Sequence, residues 1–493
     1  MVESYIIGVD LGANSGRAVV GNLTSEKLEV EELRRFSNDP ILINGRLYWD
    51  VLKIFAEIKQ SLKKYSSKYE QEPLSIGIDS WGVDYGLFDK KGRLLRNPVH
   101  YRDSRTRGLI SEALKVMSRK RIFETTGIQF LELNTLYQLF AQKREFDHLL
   151  ESSESLLMMA DVLNYFLTGK MVTEFSLATT TQLYDTVKKQ WATDIFKEFG
   201  FPLELMQDVV SPGTKIGTLA NEVSEEVGLS EVSVIVPATH DTASAVAAIP
   251  AHEDNWAFIS SGTWSLLGTE LETPFINEEA MKANFTNEGG VGGKYRFLRN
   301  LTGLWIVQEC KREWQQSSDK YTYRELTEMA RYSKPFFAYL DTDDDKFQSP
   351  QNMPEKIRDF FVNTGQKSPE KKGQIIRTIL EGLAFNYKYV LEKLEALLNK
   401  KIEKIYIVGG GVRNELLSQF TANATGKEVV TGPAEATAIG NILVQGIELN
   451  KIKSLSQGRE IVRESWSMEK FKPENLESWH TAYQEFLEIK EAN

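Results

Sequence analysis

The chain of 493 residues is poor in cysteine, in histidine and in long apolar runs. Its single cysteine, Cys310, excludes an intramolecular disulfide and a thiolate cluster for zinc or iron–sulfur. The helical spacing around it predicts a buried, unreactive thiol. The longest apolar stretches, such as residues 232–237, are far too short to span a bilayer. The first residues lack the pattern of a signal peptide, so we expect a cytoplasmic protein with no membrane partner.

Basic residues are also in deficit. The chain has 59 Lys and Arg against 69 Asp and Glu, a net charge of −10, which argues against nucleic acid as a partner. ATP remains possible, because local loops and a metal ion can neutralise its phosphates. The length exceeds what one core organises, so we expect two domains, residues 1–250 and 251–493. Strands and helices alternate along the chain, which predicts the α/β class.

Two strand–turn–strand segments are the most informative feature. In residues 5–20, YIIGVDLGANSGRAVV, Gly12 and Gly16 bracket a polar turn between apolar strands. Residues 257–268, AFISSGTWSLLG, repeat the same order. Glycine lets backbone N–H groups crowd against an anion, so two facing turns could hold one polyphosphate. Each could also be an ordinary hairpin turn. The repetition predicts a duplicated architecture.

Four further segments have clear periodicity. Residues 75–89 predict a strand, a turn and a second strand, and residues 106–143 predict a helical region. Residues 155–168 predict a helix that stops at Gly169. Residues 373–398 predict a long helix.

The chain has no strong match to the known nucleotide-binding motifs. No GxxxxGK[ST] occurs, which excludes a P-loop. The segment KIYIVGGGVRNELLSQF is weak as a dinucleotide fingerprint, because Asn414 replaces the last glycine. Two interpretations of residues 408–411 remain. Their glycine backbone contacts a purine or ribose of a bound nucleotide, or they form a tight turn that binds no ligand. In both cases Asn414 is a good N-cap for the following helix.

The segment PATHDTASA is the strongest chemical candidate. His240, Asp241 and Thr242 follow a buried strand, where open α/β sheets usually bind ligands. Phosphoryl transfer needs a carboxylate that takes the proton of the attacking hydroxyl, and Asp241 can do so. The alternative role of Asp241 is the N-cap of the next helix. Asp10 ends a buried strand beside the first turn, where it holds magnesium or stabilises the turn.

Together these segments resemble the FGGY carbohydrate kinases, almost from end to end. The resemblance is carried by GVDLGANSGR, NGRLYWD, IDSWGVDYGL, YRDSRT, GIQFLELNTLYQL, ATTTQLYD, ATHDTASAV, SSGTWSL, NEGGVGGKYRFLRNLTGLW and GPAEATAIGN. It implies the two-domain actin/hexokinase-type ribonuclease H-like fold, with duplicated lobes and a catalytic cleft between them. The N-terminal domain is then expected to bind mainly sugar and the C-terminal domain mainly ATP.

The resemblance also implies site residues and a cofactor. The expected ATP contacts are Ala13, Asn14, Ser15, Gly16, Arg17, Thr263, Gln308 and Gly410. The expected sugar contacts are Gly82, His240, Asp241, Thr242 and Asn300, with Asp241 as proton acceptor. The cofactor is Mg²⁺, bound with ATP, and Asp10 is its candidate ligand.

The activity implied is transfer of the γ-phosphoryl of ATP to the 1-hydroxyl of a ketose, with L-rhamnulose as the expected substrate. L-Fuculose and L-xylulose are the alternative substrates. An actin- or chaperone-like ATPase is the alternative from another class, although it would need no sugar-facing cluster of Trp81, Gly82, His240 and Asn300. A sugar-sensing repressor would need a DNA-binding module, for which we expect no room before Tyr5. The expected assembly is a monomer or a homodimer.

Overall fold

The computed structural model describes residues 4–316, 320–347 and 351–492. The strands of the described residues, in chain order, are β1 (Tyr5–Leu11), β2 (Ser15–Leu23), β3 (Leu28–Ser37), β4 (Ile41–Ile43), β5 (Arg46–Tyr48), β6 (Ser75–Ser80), β7 (Tyr85–Phe88), β8 (Ser155–Met158), β9 (Thr173–Glu174), β10 (Tyr184–Asp185), β11 (Gln190–Trp191), β12 (Val209–Val210), β13 (Lys215–Thr218), β14 (Ser233–Ile235), β15 (Trp256–Ser261), β16 (Trp264–Leu271), β17 (Thr286–Gly289), β18 (Tyr295–Thr302), β19 (Lys404–Val408), β20 (Glu428–Thr431) and β21 (Lys470–Phe471).

The helices of the same residues are α1 (Val51–Lys68), α2 (Leu109–Val116), α3 (Arg119–Thr126), α4 (Thr135–Glu151), α5 (Met159–Thr168), α6 (Phe175–Thr180), α7 (Thr193–Phe199), α8 (Asn221–Val227), α9 (Asp241–Ala247), α10 (Glu278–Lys282), α11 (Trp305–Gln316), α12 (Tyr323–Arg331), α13 (Met353–Asn363), α14 (Lys372–Leu398), α15 (Glu415–Thr425), α16 (Ala436–Glu448), α17 (Leu455–Ser465) and α18 (Leu476–Ala492). Within this described part, none of the helices has the length and apolarity that crossing a membrane requires.

The chain forms two compact units. The first comprises residues 1–252, 270–297 and 435–467, and the second comprises residues 253–269, 298–434 and 468–493. The expected division into domains 1–250 and 251–493 stays a prediction.

The two units have sheets of similar topology. In the first unit the strand order is β3-β2-β1-β6-β14-β13, with β1 antiparallel to β2 and parallel to β6. Neighbouring strands in the second unit follow the order β18-β16-β15-β19-β20-β21, with β15 antiparallel to β16 and parallel to β19. Both predicted hairpins are therefore confirmed, and each is followed in its sheet by a parallel strand.

In the first unit, α16 and α9 pack together at a glycine. A Cβ added at Gly440 would lie 1.8 Å from the carbonyl oxygen of Ser244, so the close helix crossing requires glycine. The next residue, Asn441, donates to Asp79 Oδ2 at 2.6 Å, and one turn further on Gln445 donates to the carbonyl of Ile7 at 3.0 Å. Buried amide hydrogen bonds thus attach α16 to β1 and β6, because a buried polar group needs a partner.

Two sequence predictions were wrong in detail. The helical region expected over residues 106–143 is broken into α2, α3 and α4, and α3 ends at Gly127 with a positive φ of 67°. The helix expected over residues 155–168 begins only at Met159, because residues 155–158 form β8 and pair with β7. Its end at Gly169 and the long helix α14 are confirmed. Cys310 is fully buried, as predicted.

Candidate active site

The first hairpin turn is closed by hydrogen bonds and backed by an aromatic ring. Asn38 Nδ2 donates to the carbonyl of Gly12 at 2.9 Å. The expected nucleotide contacts that keep exposed surface on this turn are Ala13, Asn14 and Ser15. Gly16 is buried, and a Cβ there would lie 2.4 Å from the ring of Phe36. Packing of β2 against β3 therefore requires glycine at position 16, whatever the turn binds.

Asp10 and Arg17 pair across the hairpin. Arg17 donates to Asp10 Oδ2 from Nε at 2.8 Å and from Nη2 at 2.5 Å. Arg17 also forms an ion pair with Glu435, just before α16. Glu435 was not predicted as a site residue, since no local pattern indicates a residue whose partner lies near the other end of the chain. Arg17 thus pairs with two carboxylates, and one oxygen of Asp10 is already occupied.

The His240–Thr242 segment lies where the loop after β14 enters α9. His240 takes the N-cap position and Asp241 is the first helical residue, so Asp241 as N-cap is corrected. The Asp241 carboxylate instead accepts from the backbone N–H of Thr242 at 2.5 Å. The Asp241 side chain keeps 30% of its surface exposed, which leaves an oxygen-bearing edge for a ligand.

The turn that carries Gly82 lies beside this segment. Ser80 donates its backbone N–H to the carbonyl of Thr239 at 2.8 Å and forms a bridge with His240. A Cβ at Gly82 would lie 2.9 Å from Thr180 Oγ1, so no larger residue fits there without a shift. The first unit thus brings together the expected sugar contacts Gly82, His240, Asp241 and Thr242. The remaining one, Asn300, lies on β18 in the second unit.

Two carboxylates of the first unit, Asp79 and Asp241, have raised pKa values. Burial raises the pKa of Asp241 above its ordinary value, the neighbouring His240 lowers it, and Asp10 raises it further. Burial also raises the pKa of Asp79 well above its ordinary value, with a further contribution from Asp10. The negative charge of Asp10 therefore disfavours ionisation of both Asp79 and Asp241, because like charges repel each other.

A carboxylate at the N-cap of α6 holds the loop of His240 in place. Glu174 accepts from the backbone N–H of Thr239 at 3.0 Å and from its hydroxyl at 2.6 Å. Ser176, which also donates to Glu174, accepts the backbone N–H of His240 at 2.9 Å. No sequence motif indicates a role for Glu174. Glu288 and Arg296, which contact the His240 ring, were not predicted as site residues, although both lie in a segment that carries the family resemblance.

In the second unit, the hairpin turn meets the start of α11. The backbone N–H of Leu304 donates to the carbonyl of Gly262 at 2.9 Å. Thr263 Oγ1 donates to Gln308 Oε1 at 3.3 Å. A Cβ at Gly303 would lie 2.7 Å from the oxygen of Gly262, so the approach needs glycine. Two expected ATP contacts, Thr263 and Gln308, are thereby brought together.

The turn formed by Gly409, Gly410 and Gly411, here called the triple-glycine turn, packs on the same hairpin. A Cβ at Gly411 would lie 2.0 Å from Ser261 Oγ, whereas one at Gly410 would meet no atom within 4 Å. Gly410 is therefore the open position of the turn. Asn414 caps α15 by accepting from Leu417 N–H at 3.1 Å, as predicted.

Family models match both parts of the chain. The N-terminal domain of the FGGY family of carbohydrate kinases matches residues 5–248, and its C-terminal domain matches residues 257–449. A rhamnulokinase of Bacteroides thetaiotaomicron is 43% identical over 485 residues, which is 98% of this chain and 99% of that protein. A rhamnulokinase of Bacillus subtilis is 39% identical over 95% of both chains.

Solved structures show the same fold. The ligand-bound xylulose kinase of Lactobacillus acidophilus matches with a TM-score of 0.81 at 16% identity, covering 99% of this chain and 98% of its own. Plasmodium falciparum glycerol kinase with ADP matches with a TM-score of 0.77 at 15% identity over the same shares. The mixed α/β two-domain fold of sugar kinases is thus confirmed. Because two family models and full-length relatives agree, this chain belongs to the FGGY family of carbohydrate kinases and is an ATP-dependent sugar kinase.

Proposed function

We propose that this enzyme transfers the γ-phosphoryl group of ATP to the 1-hydroxyl of L-rhamnulose. The products are ADP and L-rhamnulose 1-phosphate, and the reaction belongs to L-rhamnose breakdown in the cytoplasm. The observation that carries the substrate is the name rhamnulokinase, shared by relatives that are 37% to 43% identical over nearly their whole length. Structural similarity to xylulose and glycerol kinases supports the fold only. The choice of sugar therefore rests on the rhamnulokinase relatives.

Asp241 is the proposed proton acceptor. Its partly exposed carboxylate begins α9, beside His240 and Thr242. As the sugar hydroxyl attacks the γ-phosphorus, Asp241 takes the hydroxyl proton, which is the one protein-assisted proton transfer that phosphoryl transfer needs. The raised pKa of Asp241 supports this role, since a base works best when its pKa approaches the operating pH.

The remaining proposed contacts are a sugar set and an ATP set, and each set includes residues from both halves of the chain. For the sugar we propose Gly82, His240, Thr242 and Asn300. For ATP we propose Ala13, Asn14, Ser15, Gly16, Arg17, Thr263, Gln308 and Gly410. The clustering of Thr263 and Gln308 beside the triple-glycine turn supports the ATP assignment in the second half.

Mg²⁺ fits the residues of the first unit as an ion shared with phosphates. Among the described residues no group of three or more His, Cys, Asp or Glu could by itself hold a metal ion. Magnesium usually keeps several waters and takes one or two carboxylates together with substrate phosphates. Asp10 would hold it, through the oxygen that Arg17 does not occupy or through water, and the ion would neutralise charge on the phosphates.

The experiment measures ADP release with a panel of sugars. We expect L-rhamnulose to give the highest kcat/KM, L-fructose a lower one, and D-xylulose or glycerol little turnover. A kcat/KM for L-fuculose, L-xylulose or D-xylulose that equals or exceeds the kcat/KM for L-rhamnulose would contradict L-rhamnulose as the substrate. Sugar-independent ADP release at the full rate would instead indicate an ATPase.

Replacing the proposed base tests the mechanism. Asp241→Asn keeps the size of the side chain but removes the proton acceptor, so kcat should fall about 10²- to 10⁴-fold, with ATP affinity nearly unchanged. Asp185→Asn is the matched control, because Asp185 also accepts backbone N–H groups of its own turn and lies outside the proposed site. Near-normal turnover of Asp241→Asn would remove Asp241 from this role.

A further inference from the structure

A buried arginine contacts the ring of His240. Arg296 is fully buried and lies in the part of β18 that belongs to the first unit. Its Nη2 lies 2.9 Å from Nδ1 of His240, and its Nε donates to the carbonyl of Gly289 at 2.9 Å. The same Nη2 lies 3.2 Å from the carboxylate of Glu288. Burying an unpaired guanidinium costs folding free energy. The Glu288 carboxylate balances the charge of Arg296, and the hydrogen bonds fix its position.

The Arg296 contact decides which ring nitrogen of His240 carries the proton. A guanidinium has only donors, so Nδ1 of His240 must accept from Arg296. In a neutral imidazole with an acceptor at Nδ1, the proton sits on Nε2. Glu288 favours the opposite tautomer, since its Oε2 lies 3.3 Å from the same Nδ1 and a carboxylate only accepts. The arginine contact is the shorter one, and Arg296 also pairs with Glu288.

The other side of the ring faces Asp241. His240 Nε2 lies 3.5 Å from Asp241 Oδ1. With the proton on Nε2, the ring presents a donor to this carboxylate and stabilises its ionised form. With the proton on Nδ1, a lone pair would face the carboxylate oxygen and oppose ionisation. The tautomer of His240 therefore affects whether Asp241 is ready to accept a proton.

We propose that Arg296 is a positioning residue that holds His240 as the neutral Nε2–H tautomer, with its donor directed at Asp241. Glu288 balances the charge of Arg296 and is the competing acceptor for the His240 ring. The catalytic consequence rests on the proposed role of Asp241, whereas the tautomer itself does not. Backbone anchoring of His240 by Ser176 keeps the ring between these partners.

Nitrogen NMR of the full-length enzyme tests the tautomer directly. The chain has five histidines, so ¹⁵N-histidine labelling gives few ring signals, and His240→Gln identifies those of His240. We expect a protonated Nε2 and an unprotonated Nδ1 in the unmodified enzyme. In Arg296→Met the proton should move to Nδ1, and the resulting Nδ1–H would donate a hydrogen bond to the Glu288 carboxylate. A protonated Nδ1 in the unmodified enzyme, or an unchanged tautomer in Arg296→Met, would overturn the proposal.

Kinetics test the consequence of the tautomer. Arg296→Met should lower kcat about 10- to 100-fold, by analogy with the loss seen when a partner that orients a metal-bound histidine is removed, while KM for ATP stays nearly the same. Arg296→Lys, which also can only donate, should keep the Nε2–H tautomer and recover part of the kcat. If Arg296→Met fails to fold, the spectrum of the unmodified enzyme and that of Arg296→Lys still decide.

Arg459 provides a matched control in the same unit. It is also buried and pairs with Glu270 at 2.8 Å. Arg459→Met should lower stability and leave the His240 tautomer unchanged; a shifted tautomer in this variant would show that any buried arginine has the effect, and would refute a specific role for Arg296. Normal turnover of Asp241→Asn would reject the proposed base without altering the tautomer result.

Discussion

Gly411 should tolerate no side chain, whereas its neighbour Gly410 should tolerate one. A Cβ at Gly411 would lie 2.0 Å from Ser261 Oγ and 2.5 Å from Ser261 Cβ. The hydroxyl can rotate away, but the Cβ moves only with the backbone. Because ordinary contact begins at 3.4 Å, the two segments must separate by about 1 Å, and such overpacking typically costs about 1 to 3 kcal/mol.

Gly410→Ala is the control for this prediction. Its added Cβ meets no atom within 4 Å, and Gly410 is not among the glycines with positive φ. Its effect on stability should stay within about 1 kcal/mol, since Gly→Ala at a compatible position mainly restricts the unfolded chain. If the open face of Gly410 contacts the nucleotide, Gly410→Ala should weaken ATP binding without lowering stability.

Urea unfolding followed by circular dichroism measures both variants, and calorimetry measures ATP affinity. Combining Gly411→Ala with Ser261→Gly removes both side-chain atoms that the new Cβ would meet. The double variant should therefore be more stable than the sum of the single effects, which a double-mutant cycle detects. A Gly411→Ala variant as stable as Gly410→Ala, or strictly additive effects, would refute the packing argument.

Three further predictions concern the hairpins and a buried carboxylate. Gly16→Ala should destabilise the enzyme by about 1 to 3 kcal/mol through its clash with Phe36, as measured by urea unfolding; full stability would contradict this. Gly262→Ala, whose Cβ meets only a backbone oxygen at 3.8 Å, should keep that stability but raise KM for ATP if the second turn binds phosphate, and an unchanged KM would count against phosphate binding there. Burial raises the pKa of Asp84 to about 6 from 3.8, so the folded state holds this proton more tightly. Protonated Asp84 therefore adds roughly 3 kcal/mol to the free energy of unfolding. This contribution is complete below pH 3.8 and is lost as the pH rises through about 6. Unfolding at pH 5 and at neutral pH should show a smaller pH dependence in Asp84→Asn than in the unmodified enzyme, and an equal dependence would contradict the assignment.

Local sequence signals predicted the elements whose structure depends on near neighbours. The turn of residues 12–16, the helix cap at Asn414 and the long helix α14 follow from glycine, a capping side chain and apolar periodicity. The same signals failed for residues 155–158, because a short buried apolar run fits a strand as well as a helix. Pairing with β7, about seventy residues earlier, decides for the strand.

The sequence by itself determined the order of strands and turns, the positions of the glycines and the placement of an acidic residue after a buried strand. These depend on backbone preferences and on short-range hydrogen bonds. Only the tertiary structure decided the partners: Arg17 with Glu435, Asp79 with Asn441, and His240 with Arg296. Each pair joins residues far apart in the chain, and no local pattern encodes which buried charge or amide will meet which. Burial then sets the protonation of these groups, since desolvation exists only once the chain has folded.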